Sequence, residues 1–585
     1  MASLNPVPER TVRLLTLLPG QHGEPLRCAI EAVGLNDKVP YETLSYVWGP
    51  APDGNHTVNL AGQTVDITSN LSAALSHLRN PETPRTLWVD QLCIDQGNNE
   101  EKEQQVGMMR SIYQNCTQCV IWLGVIPQDQ DMFTLQDAMA LFDFFKLHAA
   151  FESDQERFSQ IITTFTRPSS YEGVRNAFGS MRPHGNDWWH RIWTVQEAVL
   201  PPKTTLQWGT LTISWVDLIG AFDTCPHSLH NVEMQDLDGI ADAIRKDLGH
   251  LITAVLGLLI SKEKRDTPLM LLHRWRSRYA TDPRDKIYGL MGLLERDAFP
   301  SVPTSDYTVS TSTLYTRVAL DMIRLTDSLE PLIGMRGDAR VTPGLPSWVF
   351  DWAVLDEARS PNWFPFYHRH DCFRADGDKT FKMEVSDDER LLTLEGIYLD
   401  RVKHVSDVIA DGKTELTEQD INDTLGAWKV FLDHVVREKG LETSPTGISW
   451  REVFCRTALG DLIFDEFPIR RVNDNDCEMF WKFRKDLQSN DTWESLRQMV
   501  TRQAFFITER GYVGIGPPTT RVGDSLWVLF GGRMPFILGA VGDEEAEPSN
   551  LGGIRKIFVG EAYVHGFMKG EAAEDEKSVR KVSLV

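Results

Sequence analysis

The sequence is short of cysteine, of basic charge and of long apolar runs, and each shortage removes a class of protein. Eight cysteines in 585 residues are too few for a disulfide framework. The N-terminus has no basic segment followed by an apolar stretch and a cleavage site. Both features lead us to expect reduced thiols and a cytoplasmic location. Sixty lysines and arginines stand against 83 acids, a net charge of −23, so the broad basic surface that nucleic acid or anionic membrane requires is missing. The longest apolar run, 251–260, is about half of what spans a bilayer, and no membrane span is expected. Site motifs are equally scarce. There is no His-Glu-x-x-His pair and no Gly-x-Ser-x-Gly elbow. Cys116-Thr117-Gln118-Cys119 has no second pair and reads as buried thiols. His368, His370 and Cys372 crowd a short stretch without a metal motif, and Asp411-Gly412-Lys413-Thr414 has Asp407 where a phosphate loop needs its first glycine. Neither a metal nor a bound cofactor is expected.

What is abundant is apolar and aromatic surface: 42% apolar residues, with 17 Trp and 27 Phe. A folded chain of this length divides into about three domains. The densest aromatic stretch is Trp188-Trp189-His190-Arg191-Ile192-Trp193-Thr194-Val195-Gln196-Glu197. With Asn186 or Asp187 as cap and Pro201-Pro202 as terminator, it reads as one helix of about 13 residues. On that helix Trp189, Ile192, Trp193, Gln196 and Leu200 share a stripe, and Glu197 sits at its edge beside Trp193. The residues alone leave two readings open: a carboxylate held against an aromatic wall for chemistry, or core indoles with Glu197 on a solvated flank.

The N-terminal part alternates strand and helix. Two short strands are expected at 11–18 and 26–33, and a third, 41–49, ends on Gly49. Thr68 or Ser69 caps a helix whose Leu71, Ala74, Leu75 and Leu78 repeat at helical spacing. The strand Thr86-Leu87-Trp88-Val89-Asp90 delivers Asp90 and Asp95 into its following loop, Asn98 or Asn99 caps the next helix, and 119–124 is a strand. Buried strands alternating with helices predict a parallel α/β sheet, whose ligands bind outside the carboxyl ends of the strands. That rule gathers Ser45, Tyr46, Trp48, Asp90, Asp95 and the Trp188 to Glu197 segment on one rim, with an insertion at 131–182 beside it. We expect N-terminal strands at 1–35, an α/β domain at 36–210, a mainly helical region at 211–385, and a β-rich region at 386–585. The last is interrupted by a helical insertion at 415–500. In it, strands at 391–399, 504–513, 525–530, 535–541 and 557–563, punctuated by Gly514, Gly516, Gly523 and Gly531-Gly532 as turns, predict a small antiparallel barrel or sandwich. The last dozen residues read as charged and loose.

Three segments, Leu44-Ser45-Tyr46-Val47-Trp48-Gly49, Leu87-Trp88-Val89-Asp90 through Cys93-Ile94-Asp95-Gln96, and Trp189 through Glu197, resemble the fungal heterokaryon incompatibility (HET) domain. The resemblance continues in Asp282-Pro283-Arg284-Asp285-Lys286-Ile287-Tyr288-Gly289-Leu290, Leu345-Pro346-Ser347-Trp348, Gly511 to Pro517 and Gly560 to Gly566. It implies a role in nonself recognition, in which fusion of unlike fungal cells triggers programmed death, and a partner that is either a protein of the incompatible strain or a second copy of the chain. The HET domain is in turn similar to the toll/interleukin-receptor (TIR) domain, and the comparison implies a TIR/flavodoxin-like parallel sheet. Leu44-Ser45-Tyr46 matches the first TIR strand, and Arg191 to Glu197 matches the helix that carries the glutamate of TIR domains that cleave NAD. His190, Arg191, Thr194 and Gln196 depart from that pattern.

The implied chemistry is self-consistent. The base that leaves NAD is already cationic and departs neutral, so one carboxylate to stabilise the ribosyl cation suffices. On this reading Glu197 is catalytic and NAD is a substrate, not a cofactor. Trp48 or Trp193 stacks on a base, Arg191 or Arg110 answers the diphosphate, and Ser45, Tyr46, Asp90 and Asp95 line the site. The alternative is a non-enzymatic death-signalling module that works by oligomerisation or partner binding, with Glu197 structural.

Overall fold

The computed structural model describes residues 8, 10–52, 54–127, 132–148, 171–183, 185–220, 251, 254–263, 266–334, 340–355, 369–408, 417–464, 468–482, 492–501, 503–542, 552–573 and 578–585. They fall into two compact units: residues 1–267 with 278–295 and 304–307, and residues 268–277 and 296–303 with 308–585. The expected elements at His368 and 411–414 lie outside the described residues.

The first unit is built on a nine-stranded sheet. In chain order its strands are β1 (Thr11–Leu17), β2 (Leu26–Gly34), β3 (Glu42–Ser45), β4 (Thr57–Leu60), β5 (Gln63–Asp66), β6 (Arg85–Trp88), β7 (Gln118–Trp122), β8 (Thr204–Trp208) and β9 (Leu211–Ser214). They lie in the spatial order β5-β4-β2-β1-β6-β3-β7-β8-β9. The four central strands β6-β3-β7-β8 are mutually parallel, as expected of strands with buried faces. The flanks correct the all-parallel expectation: β1 is antiparallel to β6 and β9 is antiparallel to β8, so the sheet is mixed. A short loop explains one of these pairs, because only Gly209 and Thr210 separate β8 from β9, too few for a crossover.

Helix α1 (Ser69–Leu78) starts where Thr68 accepts a hydrogen bond from Leu71 N at 3.3 Å, and it buries Leu71, Ala74, Leu75 and Leu78. Each buried leucine contributes about 1.5–3 kcal/mol of hydrophobic stabilisation. A single turn, α2 (Asp90–Cys93), follows β6. Then α3 (Asn99–Asn115) is capped by Asn98, which accepts from the amides of Glu100 and Glu101. Glu101 is buried inside this helix, paired with buried Arg13 of β1. Helices α4 (Leu135–His148) and α5 (Tyr171–Met181) follow.

The 13-residue helix expected at 188–200 is two pieces. A 3₁₀ turn spans Asp187–His190, and α6 runs over Thr194–Val199. Arg191 between them forms an isolated parallel bridge with Tyr279: Ile192 N donates to Tyr279 O at 2.9 Å, and Tyr279 N donates to His190 O. Those bonds replace the intrahelical ladder and re-aim the two pieces. Helix α7 (Asp285–Met291) completes the unit.

The second unit holds a helix at Pro268–Trp275, α8 (Thr311–Thr326), and strands β10 (Met383–Val385) and β11 (Leu392–Val405). Next come α9 (Glu418–Glu438), with a Thr417–Asp420 capping box, α10 (Trp450–Ala458), the hairpin β12 (Leu462–Ile463) and β13 (Arg470–Arg471), α11 (Asp474–Lys482) and α12 (Trp493–Val500). The final strands are β14 (Ala504–Thr508), β15 (Val513–Gly516), β16 (Ser525–Leu529), β17 (Phe536–Ala540), β18 (Ile554–Glu561), β19 (Tyr563–Val564) and β20 (Val579–Leu584).

Long strand β11 pairs with β20 and β16 along one half and with β14 along the other, so β11, β16, β17, β18 and β20 close into a circuit. Phe505 and Ile507 of β14 pack with the helices α9 to α12, while Phe506 between them packs on the other face with Leu526, Val528 and Ile537.

Three expectations need correction here. The end of the chain is ordered: β20 is antiparallel to β11 and parallel to β18, with Val582 and Leu584 fully buried. Gly514 and Gly516 are strand residues of β15, not turns. A Cβ on Gly514 would stand 2.5 Å from the carbonyl oxygen of Tyr563, which is why only glycine fits. The strand expected at 504–513 is two antiparallel strands joined through Gly511, whose φ is +91°.

Candidate functional site

The carboxyl ends of the parallel strands gather most of the residues singled out in the sequence. Ser45 is the last residue of β3, the strand flanked by β6 and β7. Because β3 precedes both neighbours in the chain, the connections diverge there, and such a divergence leaves a crevice at the strand ends. Ser45 is buried and accepts a hydrogen bond from Trp188 Nε1 at 2.7 Å. An indole nitrogen can only donate, so the hydroxyl hydrogen of Ser45 is directed to its other partner, Glu197 Oε2, at 2.5 Å. The break at Arg191 allows this, since it lets Trp188 and Glu197 reach the same hydroxyl from two short helical pieces.

Glu197 is only 6% exposed. Burial raises its carboxyl from 4.5 to about 7. Arg191, the Ser45 hydroxyl and Arg278 oppose the rise, and Asp90 adds to it. Arg191 Nη1 donates to Tyr46 O at 2.8 Å, fastening the end of β3. Arg278 is buried and donates to Thr194 Oγ1 at 2.6 Å and Arg191 O at 3.2 Å. Burial lowers it to about 9, with Glu197 acting in the opposite direction, so it is cationic at neutral pH. Lys286 Nζ donates to Arg278 O and fixes that backbone.

Asp90, just past β6, accepts from Trp48 Nε1 at 2.7 Å and from Gln91 N at 2.7 Å. Burial raises its carboxyl, and Arg191 and these hydrogen bonds work against the rise. Tyr46 OH donates to Gln91 Oε1 at 3.1 Å. Arg191 thus acts on both carboxyls, and Arg278 on Glu197. Glu197 titrates near neutrality, where it can take up or release a proton.

Three of the expected residues lie outside this hydrogen-bonded cluster. Trp193 turns toward α7, its Nε1 donating to Asp285 Oδ2 at 3.1 Å, where Tyr307 OH also donates to Oδ1 at 2.6 Å. Asp95 fixes its own loop, accepting from Gly97 N at 3.0 Å. It also lines a cavity of about 240 Å³ together with Trp48, Gln91, Thr68, Asp66 and the loop 49–52. Trp48 therefore connects that cavity to Asp90. Arg110 is engaged elsewhere, donating to Leu294 O at 2.7 Å.

Sequence reasoning missed Trp188 as a site residue, and it missed Asn70, Gln91 and Arg278. Asn70 carries the end of β3 by donating to Val47 O at 2.6 Å while accepting from Trp122 Nε1 at 2.9 Å. Trp188 and Gln91 sat inside the motifs and were findable. Arg278 and Asn70 had no local signal. Cys116 and Cys119 are buried thiols, Cys116 raised to about 11 and Cys119 raised well above its ordinary value by burial, which disfavours the reactive thiolate in both. Cys372 Sγ donates to Ile469 O at 3.5 Å, and among the described residues no cluster suits a metal ion.

The family description "Heterokaryon incompatibility protein (HET)" matches residues 41–197, a span that runs from the residue before β3 to Glu197 itself. That segment of the chain is similar to the HET domain. Arg278, which donates to Thr194 and Arg191, lies beyond the HET match, and a second family, the Het-6 beta-barrel domain, matches residues 471–584, a span that includes strands closing on β11. A relative of the chain is "Heterokaryon incompatibility protein 6, OR allele" of Neurospora crassa. It is 25% identical over 685 aligned positions, gaps included, covering 97% of this chain and 95% of that protein. No solved structure matches. Among the described residues no helix is long and apolar enough to cross a membrane.

Proposed function

We propose that the chain acts in fungal nonself recognition and the cell death that follows it, a reading supported by its HET-domain match and by its similarity to a Neurospora crassa protein named for heterokaryon incompatibility. We further propose that the HET domain delivers death by hydrolysing NAD with Glu197. The observation that carries the chemical part is the enclosed Glu197 carboxyl, titrating at about 7 between Arg191 and Arg278 at the carboxyl end of β3. The order β6-β3-β7-β8 is 2-1-3-4 in chain sequence, the order of flavodoxin-like sheets, which supports the TIR-like reading. In the reaction the bond from ribose C1′ to the pyridinium nitrogen breaks, and its electron pair neutralises the departing nicotinamide. The ionised Glu197 stabilises the ribosyl cation, water adds to C1′, and a carboxylate takes the proton that water releases. Asp90 faces the ribose hydroxyls and Arg191 the diphosphate. The cavity beside Trp48 has two carboxylates, Asp66 and Asp95, and no cation in its lining, which suits a cationic ring rather than a phosphate.

One observation favours a second reading. Glu197 is nearly inaccessible and its Oε2 is occupied by Ser45, as a structural carboxyl in an assembly module would be. Expression of the Glu197→Ala chain in an incompatible fungal host separates the two. Survival with normal protein levels supports hydrolysis, and undiminished killing supports a death signal that works by oligomerisation or partner binding.

A further inference from the structure

The second unit contains a cavity of about 390 Å³ whose floor is an ion network built by α10, β13 and the segment after β19. Gly460 and Asp461, between α10 and β12, both have left-handed backbone, with φ of +59° and +56°. The Asp461 side chain is 1% exposed. Arg456 Nη1 donates to its Oδ1 at 3.0 Å, while Arg471 donates to Oδ2 through Nε at 2.8 Å and also through Nη2. A strained, buried, charged residue persists only where its surroundings over-determine it, and such residues cluster at ligand sites.

The unused capacity of the lining groups defines the ligand. Arg456 engages each of its three nitrogens, with Nε to Glu452 Oε1 at 2.9 Å, Nη1 also to Val472 O at 2.6 Å, and Nη2 to Asp474 at 3.2 Å. Among the described residues Arg471 Nη1 and the Lys569 ammonium make no hydrogen bond, the Arg471 guanidinium lying 5.6 Å from the centre of the Phe373 ring. On the acidic side, Glu452 uses only Oε1, and Glu571 uses only Oε2, which accepts from Lys569 N at 2.6 Å. Two cationic donors and two carboxylate oxygens are therefore spare. The full charges also cancel, Arg456, Arg471 and Lys569 against Glu452, Asp461 and Glu571. Ile448, Met568 and the ring of Tyr563 add apolar wall. A lining without net charge favours neither phosphate nor a polyamine. A small body carrying both signs meets both the cationic and the carboxylate groups left spare.

We propose that this cavity binds a zwitterion of the α-amino acid class with an apolar side chain. Its carboxylate is taken by Arg471 and Lys569, its ammonium by Glu452 and Glu571, and its side chain lies against Ile448 and Met568. Calorimetric titration of the full chain with leucine, methionine and phenylalanine tests it, with leucinamide, N-acetyl-leucine and inorganic phosphate as controls. Saturable binding of at least one of the three amino acids is expected. The controls, each lacking one charge or the apolar part, should bind about ten-fold more weakly or not at all. Lys569→Ala, at an exposed position that leaves the Asp461 network intact, should weaken binding about ten-fold. Arg471→Met should abolish it, with circular dichroism to confirm the fold. Absence of binding by all three amino acids, equal binding of the amide or acetyl form, binding of phosphate alone, or indifference to Lys569→Ala would each overturn the proposal.

Discussion

Replacing Glu197 by glutamine should make the protein's stability less sensitive to pH, and the size of the effect follows from the site. A carboxyl moved from 4.5 in the unfolded chain to about 7 in the folded one binds its proton more tightly when folded. Its contribution is therefore complete below about pH 4.5 and is lost as pH rises through about 7. The loss amounts to about 3 kcal/mol, since one pK unit corresponds to about 1.4 kcal/mol. Glutamine cannot ionise, so the variant escapes that loss while retaining an oxygen for the Ser45 hydroxyl. Its extra amide hydrogens add a cost that does not depend on pH, so the comparison to make is between pH values rather than between proteins. Urea unfolding followed by tryptophan fluorescence, at pH 5 and pH 8, measures it. Relative to the native chain, Glu197→Gln should gain about 2–3 kcal/mol on going from pH 5 to pH 8. A difference between the two proteins that stays the same at both pH values would refute the assignment of Glu197 as the buried, neutral-pH acid.

Other perturbations follow from the packing. Arg13→Met leaves the buried Glu101 without its partner and should cost about 3–5 kcal/mol in chemical denaturation. Burial opposes the charge of Glu101, but Arg13 and the Asp95 amide overcome that and hold its carboxyl below its ordinary value. In the native chain this stability is present at neutral pH and lost as pH falls through the depressed value, so the deficit of Arg13→Met relative to the native chain should shrink as pH falls through that value. Gly514→Ala puts a methyl against the Tyr563 carbonyl and the Phe506 ring. A melting experiment should show a loss of at least about 1–3 kcal/mol. Trp48→Leu removes the indole that joins Asp90 to the neighbouring cavity, and NAD affinity measured by calorimetry should fall about ten-fold or more with little change in melting temperature.

The local grammar of the α/β domain was legible because its signals are short-range. Thr68 and Asn98 cap the helices their positions announced, and Leu71, Leu75 and Leu78 are buried as their spacing required. Ser45 and Asp90 reached the strand ends because motif and strand end coincide. The helix through Arg191 failed for the opposite reason. Its break is made by Tyr279, 88 residues away, and no periodicity within 188–200 contains that partner. Arg278 was invisible on the same ground. The ordered C-terminus escaped notice because Val579–Leu584 carries three charged or polar residues in six, a weak strand pattern until β11 and β18 cover both sides. The glycines of β15 mimic turns, and only the approach of β19 distinguishes a strand from a turn there.

The measurement that bears most directly on the central claim is release of nicotinamide from NAD by the purified full-length chain and by Glu197→Ala, at high protein concentration. Release by the native chain that falls at least about 100-fold in the variant is the expected result, the cost of losing a group that acts chiefly in the transition state. Equal release by both proteins, or none by either, would contradict hydrolysis by Glu197.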